Sequence, residues 1–263
     1  AVTRQSSSLP LDRYDDQLGV TTFRWNRESL RAPSFRGVDS EARSRHAATH
    51  YLEQMTGVGA TAKKQDERAV LTSLHDMGRG PIIAKFAQEF SGVEVFNREL
   101  NVLMDRDLNM VAASGYFANI NQSQKSTPKL RLFSSQESAF SAALSDISGE
   151  PVSASLLGTE KRGKFDVATL ATDRGLELRG LSRVKRVYFP GMSELHPAHY
   201  VEVGVVHPNS GQELLYSYVI GRDGGILFRR NLVENEAYDY TVFGRDADKT
   251  LLQGPHGDVI PKV

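Results

Sequence analysis

Two histidines in the first third of the sequence have the spacing of a metal-binding helix. His46 and His50 lie four residues apart, the spacing at which one helix presents two imidazoles to a zinc ion. In the catalytic form of that motif the first histidine is followed by glutamate, the general base for the zinc-bound water. Here the next residue is Ala47, and the sequence contains no His-Glu dipeptide. We therefore favour surface or helix-packing histidines, and we expect neither a catalytic residue nor a bound metal in this chain.

Two further groups could attract a metal ion, and each lacks the partners to hold one. His196 and His199 stand three residues apart without a cysteine or carboxylate partner, and His207 lies at the far end of the same predicted strand. Asp105 and Asp107 occupy a predicted hairpin turn without the other oxygen ligands of a calcium loop. Turn formation explains these aspartates better than calcium binding.

The first half of the sequence has a helix pattern followed by strand patterns. Residues 41–55 carry apolar residues at helical spacing and predict a helix that ends at Gly57. A strand is predicted at 69–75, and several more at 81–117, where apolar and polar residues alternate. The Asp/Asn-rich stretch 105–109 predicts a turn between two of those strands.

The second half repeats this order after a polar, proline-containing stretch that predicts a linker. Ser134 and Glu137 have the spacing of a capping box, which predicts a helix start, and Gly149 with Pro151 predicts its end. The predicted strands that follow are 166–170, 176–179, 199–207, 213–220 and 226–233. Specific turn residues separate the last three, which predicts a meander.

Each half of the sequence contains residues that resemble a known domain. The first half resembles the propeptide module of fungalysin- and thermolysin-type zinc peptidases, and the second half resembles a PepSY domain. The residues that match the propeptide module are Gly92, Val93, Val95, Phe96, Leu100, Val102, Asp105, Val111, Ser114 and Gly115. The residues that match PepSY are Glu137, Ala139, Tyr218, Val219, Asp223, Gly225, Ile226, Leu227, Arg229, Arg230 and Asn231. Periodicity alone also fits an unrelated antiparallel meander.

Together these patterns predict an α+β fold of two tandem units, each an antiparallel β-meander packed on a helix (cystatin-like or PepSY-like). An extended N-terminal arm, packed through the single tryptophan, and a C-terminal tail would flank them. The predicted divisions are an arm at 1–40, a fungalysin/thermolysin propeptide-like domain at 41–118, a linker at 119–130, a PepSY-like domain at 131–235 and a tail at 236–263.

Composition narrows the classes of function. Lys plus Arg and Asp plus Glu each number 32, so no general attraction to nucleic acid is expected. Two basic clusters, 161–164 and 183–186, are expected on solvated faces or in loops. There is no cysteine, and no apolar run approaches the roughly 18 residues of a membrane span. The polar start at Ala1 suggests a leader already removed, which favours a secreted protein.

The resemblance implies a function in binding. It implies the pro-region (propeptide) of a secreted fungalysin-like zinc metalloendopeptidase precursor, which inhibits the catalytic cleft intramolecularly and assists folding. The partner would be the cognate catalytic domain of the same precursor, with zinc in that domain and no cofactor in this chain. The alternative is a free-standing PepSY-type binding or inhibitor protein for an extracellular protease.

The residues expected to face the partner lie in the tail. Alternation at Tyr238, Tyr240 and Val242 predicts a strand that needs a partner sheet, although a disordered tail is also compatible. The full partner-facing set is Tyr238, Tyr240, Val242, Phe243, His256 and Asp258. If a donor from this chain reaches the partner's metal, His256 or Asp258 is the expected one.

Overall fold

The computed structural model describes residues 12–16, 20–26, 39–59, 66–120, 132–191, 194–206 and 210–233. Of these residues, 56% are in strands and 16% in helices. The helices are α1 (Ser40–Thr56) and α2 (Gln136–Ser148). The strands are β1 (Asp12–Asp15), β2 (Val20–Trp25), β3 (Glu67–His75), β4 (Ile82–Phe90), β5 (Val93–Met104), β6 (Met110–Gly115), β7 (Ala154–Arg162), β8 (Phe165–Thr172), β9 (Leu178–Pro190), β10 (Leu195–Val206), β11 (Glu213–Gly221) and β12 (Ile226–Asn231).

All of these strands belong to one mixed sheet. Its main path runs β1-β2-β6-β5-β9-β10-β11-β12. Off this path, β4 pairs with β5 and β3 pairs with β4, while β8 pairs with β9 and β7 pairs with β8. The neighbours are antiparallel except β5 and β9, which pair in parallel through Glu94 with Val187 and Val95 with Tyr188. The predicted α+β fold of two tandem meander-on-helix units is therefore wrong. The protein is mostly β, because this pairing joins the strands of both halves into one sheet.

The predicted extended arm is corrected in the part that the structure describes. Strands β1 and β2 form an antiparallel hairpin, and β2 continues the sheet by pairing with β6, Phe23 opposite Ser114 and Trp25 opposite Ala112. The Trp25 side chain is 45% exposed and meets the Phe23 ring edge-on at 5.2 Å between centroids. Backbone pairing, more than burial of the tryptophan, holds this segment on the sheet.

Helix α1 begins and ends where local chemistry satisfies its free backbone groups. Asp39 caps its start, and the Asp39 carboxylate accepts a hydrogen bond from the Ala42 amide at 2.8 Å. Gly57 ends it in the left-handed conformation, and its N–H donates to the Glu53 carbonyl at 2.8 Å. Both ends of α1 lie within one residue of the bounds predicted from the sequence.

Helix α2 begins one residue later than the capping-box pattern predicts. The cap is Ser135, whose hydroxyl accepts from the Ser138 amide at 3.1 Å. Ser134, the predicted cap, is displaced from the helix start and contacts the His199 ring instead. Either of two adjacent serines can cap a helix, and here Ser135 caps α2 while Ser134 contacts His199.

Each helix covers one part of the sheet. Tyr51 and Leu52 of α1 pack with Phe86 and Val102 in the first core. Phe140 and Leu144 of α2 pack with the valines of β10 in the second core. The strand residues of that core are Ala154, Ala168, Val184, Val201, Val203, Val205, Tyr218 and Ile220. The cores are close-packed apolar surfaces whose burial supplies most of the favourable free energy of folding.

Two smaller clusters close the junction of β5 with β9 on opposite faces of the sheet. On one face, Val95 and Tyr188 pack with Phe90. On the other, Phe96 and Val187 pack with neighbours that include Phe189, Tyr200 and Phe228, with the Phe96 and Phe228 rings 5.1 Å apart. Because adjacent strand residues point to opposite faces, one short parallel pairing buries apolar side chains on both.

The turn between β5 and β6 confirms the prediction made from its aspartates. The Asp105 carboxylate accepts from the amides of Asp107 and Asn109 at 2.9 and 2.8 Å and from the Asn109 side chain at 2.9 Å. Both carboxylate oxygens are thus used within the turn, which is the Asx chemistry expected of such a loop.

Gly115, at the end of β6, can be tested as a steric constraint on the β5–β6 pair. It has a φ of +90°, and a Cβ there would overlap the carbonyl oxygen of Glu99. Gly115→Ala should therefore lower the free energy of unfolding by about 3 kcal/mol, combining backbone strain with displacement of β5. The matched control is Gly92→Ala, where φ is +78° but no atom lies within 4 Å. That change should lower the free energy of unfolding, measured with urea, by only about 1 kcal/mol. Equal losses for both variants would show that the close approach does not constrain the strands.

Candidate functional site

The two histidines at zinc-helix spacing do not form a metal site in the described residues. His46 is exposed on α1, while His50 is half-buried and contacts the Tyr51 ring edge-on at 5.7 Å between centroids. Among the described residues, no group of three or more His, Asp or Glu side chains is arranged to hold a metal ion.

The later histidines are separated by the alternation of strand β10. His196 lies opposite Phe189 and pairs with Glu194 at 3.6 Å, whereas His199 lies opposite Arg186 and is buried, with 1% of its surface exposed. An odd separation along a strand places the two imidazoles on opposite faces of the sheet. His207 lies outside the described residues.

His199 is held as a neutral imidazole between α2 and the sheet. Its Nδ1 lies 3.3 Å from the Ser134 hydroxyl, and its ring meets the Phe133 ring edge-on at 5.9 Å between centroids. Burial, with a smaller contribution from the charge of Arg186, lowers the pKa of His199 to about 4, while Asp166 opposes this shift. The sequence could not indicate this, since a histidine before a run of valines looks the same whether it is buried or exposed.

The buried histidine makes folding stability depend on pH. The pKa of His199 lies near 6.5 in the unfolded chain and near 4 in the fold. The unfolded chain therefore binds the proton first as pH falls, and stability present above about pH 6.5 is lost progressively down to about pH 4. The loss should reach about 3 kcal/mol. His199→Gln should remove this pH dependence of the free energy of unfolding, measured by urea unfolding at several pH values. His46→Gln, at an exposed site, should keep it. A His199→Gln variant as pH-sensitive as the parent chain would contradict this assignment.

The residues predicted to face a partner lie outside the described residues. These are Tyr238, Tyr240, Val242, Phe243, His256 and Asp258. The described chain ends two residues after β12, so β12 is the described strand that precedes them in the sequence. Within the described sheet β12 is also an end strand, paired with β11 on one side. An end strand presents backbone N–H and C=O groups that a partner can use.

Strand β12 is fastened to α2 through a single carboxylate. The Tyr218 hydroxyl donates to Asp146 Oδ2 at 2.9 Å, and Arg229 Nε lies 3.3 Å from the same oxygen. The Arg229 guanidinium also lies over the Tyr216 ring, 4.6 Å from its centroid. Burial, together with the hydrogen bond to Asp146, raises the pKa of Tyr218. Asp146 lies in the last turn of α2, where a negative charge is unfavourable, so its partners on the sheet account for its position.

The exposed part of β12 is apolar at its start. Ile226 is 42% exposed and Leu227 is 37% exposed, and Leu227 has no partner in the register because a bulge separates the pairs of Ile226 with Ile220 and of Phe228 with Val219. A bulge re-aims side chains at a sheet edge. We call Ile226, Leu227 and Arg230 the β12 surface. The sequence contained one sign of it: three consecutive apolar residues, Ile226, Leu227 and Phe228, stand where strict alternation would place a polar residue in the middle.

The Asp146 contact predicts a measurable penalty for leaving a buried hydroxyl without an acceptor. Asp146→Ala should destabilise the protein by about 2 kcal/mol, since the Tyr218 side chain is fully buried. Tyr218→Phe should cost less, and Asp146→Ala should add little in the Tyr218→Phe background. Thermal unfolding of the two single variants and the double variant measures this coupling. Strictly additive losses would contradict the proposed contact.

No family model matches this sequence, and no curated protein matches it. Neither helix in the described part of the chain is long and apolar enough to cross a membrane.

Proposed function

We propose that this chain is the pro-region of a secreted fungalysin-like zinc metalloendopeptidase. It would occupy the catalytic cleft of its own precursor until processing and stabilise the folded peptidase. The zinc ion would belong to the catalytic domain, and this chain would contribute binding without breaking bonds. The proposal starts from the two groups of matching residues, and the observation that carries it is the exposed apolar β12 surface within the second group.

The residues that match the propeptide module have structural tasks. Gly92 takes a left-handed turn conformation, Val95 and Val102 are buried, and Asp105 fixes the β5–β6 turn. Gly115 permits the close approach of β6 to β5. None of these tasks involves chemistry on a substrate. This part of the pattern therefore supports a scaffold, as a binding function requires.

The residues that match the PepSY pattern divide into two groups. Tyr218 and Arg229 bind Asp146 and fasten the strand, which explains them structurally. Ile226, Leu227 and Arg230 are exposed and fill no core. Exposed apolar side chains beside an end strand are suited to strand pairing with a partner, in which main-chain hydrogen bonds give affinity and side chains give specificity.

Association through this surface would have two physical consequences. A stable interface of ordinary size buries roughly 1,600 Å² in total, so β12 would be one part of a larger contact that includes the tail at 236–263. Binding only to the folded peptidase would also stabilise it by mass action, because the unfolded enzyme offers no site. Inhibition and folding assistance are thus two results of one contact.

An inhibition assay tests the proposal. The full chain is added to a purified catalytic domain of a fungalysin-type zinc metalloendopeptidase, and cleavage of a fluorogenic peptide is followed. We expect inhibition at micromolar concentration or below. Leu227→Asp should raise the inhibition constant at least tenfold, because a buried unpaired carboxylate opposes binding by more than about 1.4 kcal/mol.

The matched control is Leu157→Asp. Leu157 is 68% exposed on β7, a different end strand, so its substitution should leave inhibition unchanged. Thermal unfolding of both variants checks that the fold is retained, and removal of residues 236–263 measures the contribution of the tail. No inhibition by the full chain, or equal loss in both leucine variants, would contradict the proposal.

A further inference from the structure

Two strands share one edge of β9 and leave a gap between them. Along this edge β8 pairs with Ser182, Arg183 and Val184, and β5 pairs with Val187 and Tyr188. Lys185 and Arg186 have no strand partner there in the described part of the chain. The gap opens into a cavity of about 490 Å³, which we call the notch. Its volume lies within the roughly 300–1,000 Å³ range of small-molecule sites.

The two basic clusters of the sequence meet at the notch. Its lining includes five cationic side chains, Arg68, Lys161, Lys164, Lys185 and Arg186, and three carboxylates, Glu89, Glu94 and Asp166. Both clusters are expected from the sequence on solvated faces or in loops. That expectation is wrong for Lys185, whose side chain is 14% exposed and pairs with Glu94 at 2.9 Å.

The carboxylates of the notch are already occupied. Glu89 pairs with Arg68 at 2.6 Å, and Lys164 lies within 3.6 Å of both Glu89 and Glu94. Asp166 pairs with Lys161 at 3.0 Å and accepts from the Gln136 side chain at 2.8 Å. The remaining capacity is therefore for donating hydrogen bonds.

Arg186 differs from the other cations that line the notch. Arg186 makes no ion pair within the described residues, and its guanidinium lies over the Phe133 ring, 5.2 Å from the centroid. Arg186, Lys161 and Asp166 share the helix-covered face, because Asp166 pairs with core residue Val184 in the sheet and with Lys161 across the hairpin. Gln136, the first residue of α2, also lines the cavity and adds a side-chain amide beside these charges.

We propose that the notch binds a compact polyvalent anion, with Arg186 and Lys161 as the charged donors and Gln136 as a polar one. A planar guanidinium with free donors suits both carboxylate and phosphate oxygens. Polycarboxylates and polyphosphates share this chemistry, because both carry several negatively charged oxygens on a small molecule. This site is separate from the β12 surface and does not depend on the proposed function.

Titration of the purified full chain tests the site. Citrate and inorganic pyrophosphate represent the two kinds of anion, and acetate at equal ionic strength is the control for general charge screening. We expect calorimetric binding of citrate, pyrophosphate or both, none of acetate, and a dissociation constant that rises with sodium chloride. The Gly92 amide, which lines the notch, should shift in NMR spectra.

Variants assign the binding to the named residues. Arg186→Gln removes the charge and keeps a polar side chain at this position, and it should weaken binding about tenfold or more. Lys161→Ala should weaken it less, and Arg222→Ala, at an exposed turn, should leave it unchanged. Tm values check that each variant folds. Binding no tighter than acetate, binding unaffected by Arg186→Gln, or NMR shifts confined to other surfaces would each overturn the proposal.

Discussion

The parallel contact of β5 with β9 determines the architecture of this protein. Only two residue pairs form it, Glu94 with Val187 and Val95 with Tyr188. Neighbouring residues of a strand point to opposite faces of the sheet. These pairs therefore contribute side chains to the apolar cluster around Phe90 on one face and to the cluster around Phe96 on the other. The same contact gives β9 a shared edge and thereby creates the notch. A short contact thus accounts for the single sheet and for a cavity lined by five cationic side chains and three carboxylates.

Much of the local structure could be predicted from the sequence. The helix that ends at Gly57, the turn held by Asp105 and the meander of β10 to β12 follow from residue types within a few positions of each other. Such signals do not extend to pairing between distant strands. Glu94 and Val187 are far apart in the sequence, and nothing in either strand specifies a parallel neighbour, so two separate units were expected where one sheet exists.

The functional surfaces were harder to predict for the same reason. Leu227 stands between two other apolar residues in the sequence, which does not show that a bulge removes its partner and leaves its side chain partly exposed. His199 occupies a similar pattern and is buried because α2 and Phe133 cover it. Ser134 and Ser135 are equivalent as caps until His199 takes the hydroxyl of the first. In each case the outcome depends on a neighbour brought close only by the complete fold.

The charges at the junction give the short parallel contact a specific register. Apolar residues alone, such as Val95 and Tyr188, would tolerate several alignments of β5 on β9. The largely buried pair of Lys185 with Glu94 does not, because a shift of one residue would move Lys185 to the other face and separate it from Glu94. A buried ion pair adds little net stability but penalises the wrong alignment strongly. The basic cluster at 183–186 therefore acts inside the sheet through Lys185, while Arg186, one residue later and on the opposite face, makes no ion pair with any residue that the structure describes and lies over the Phe133 ring.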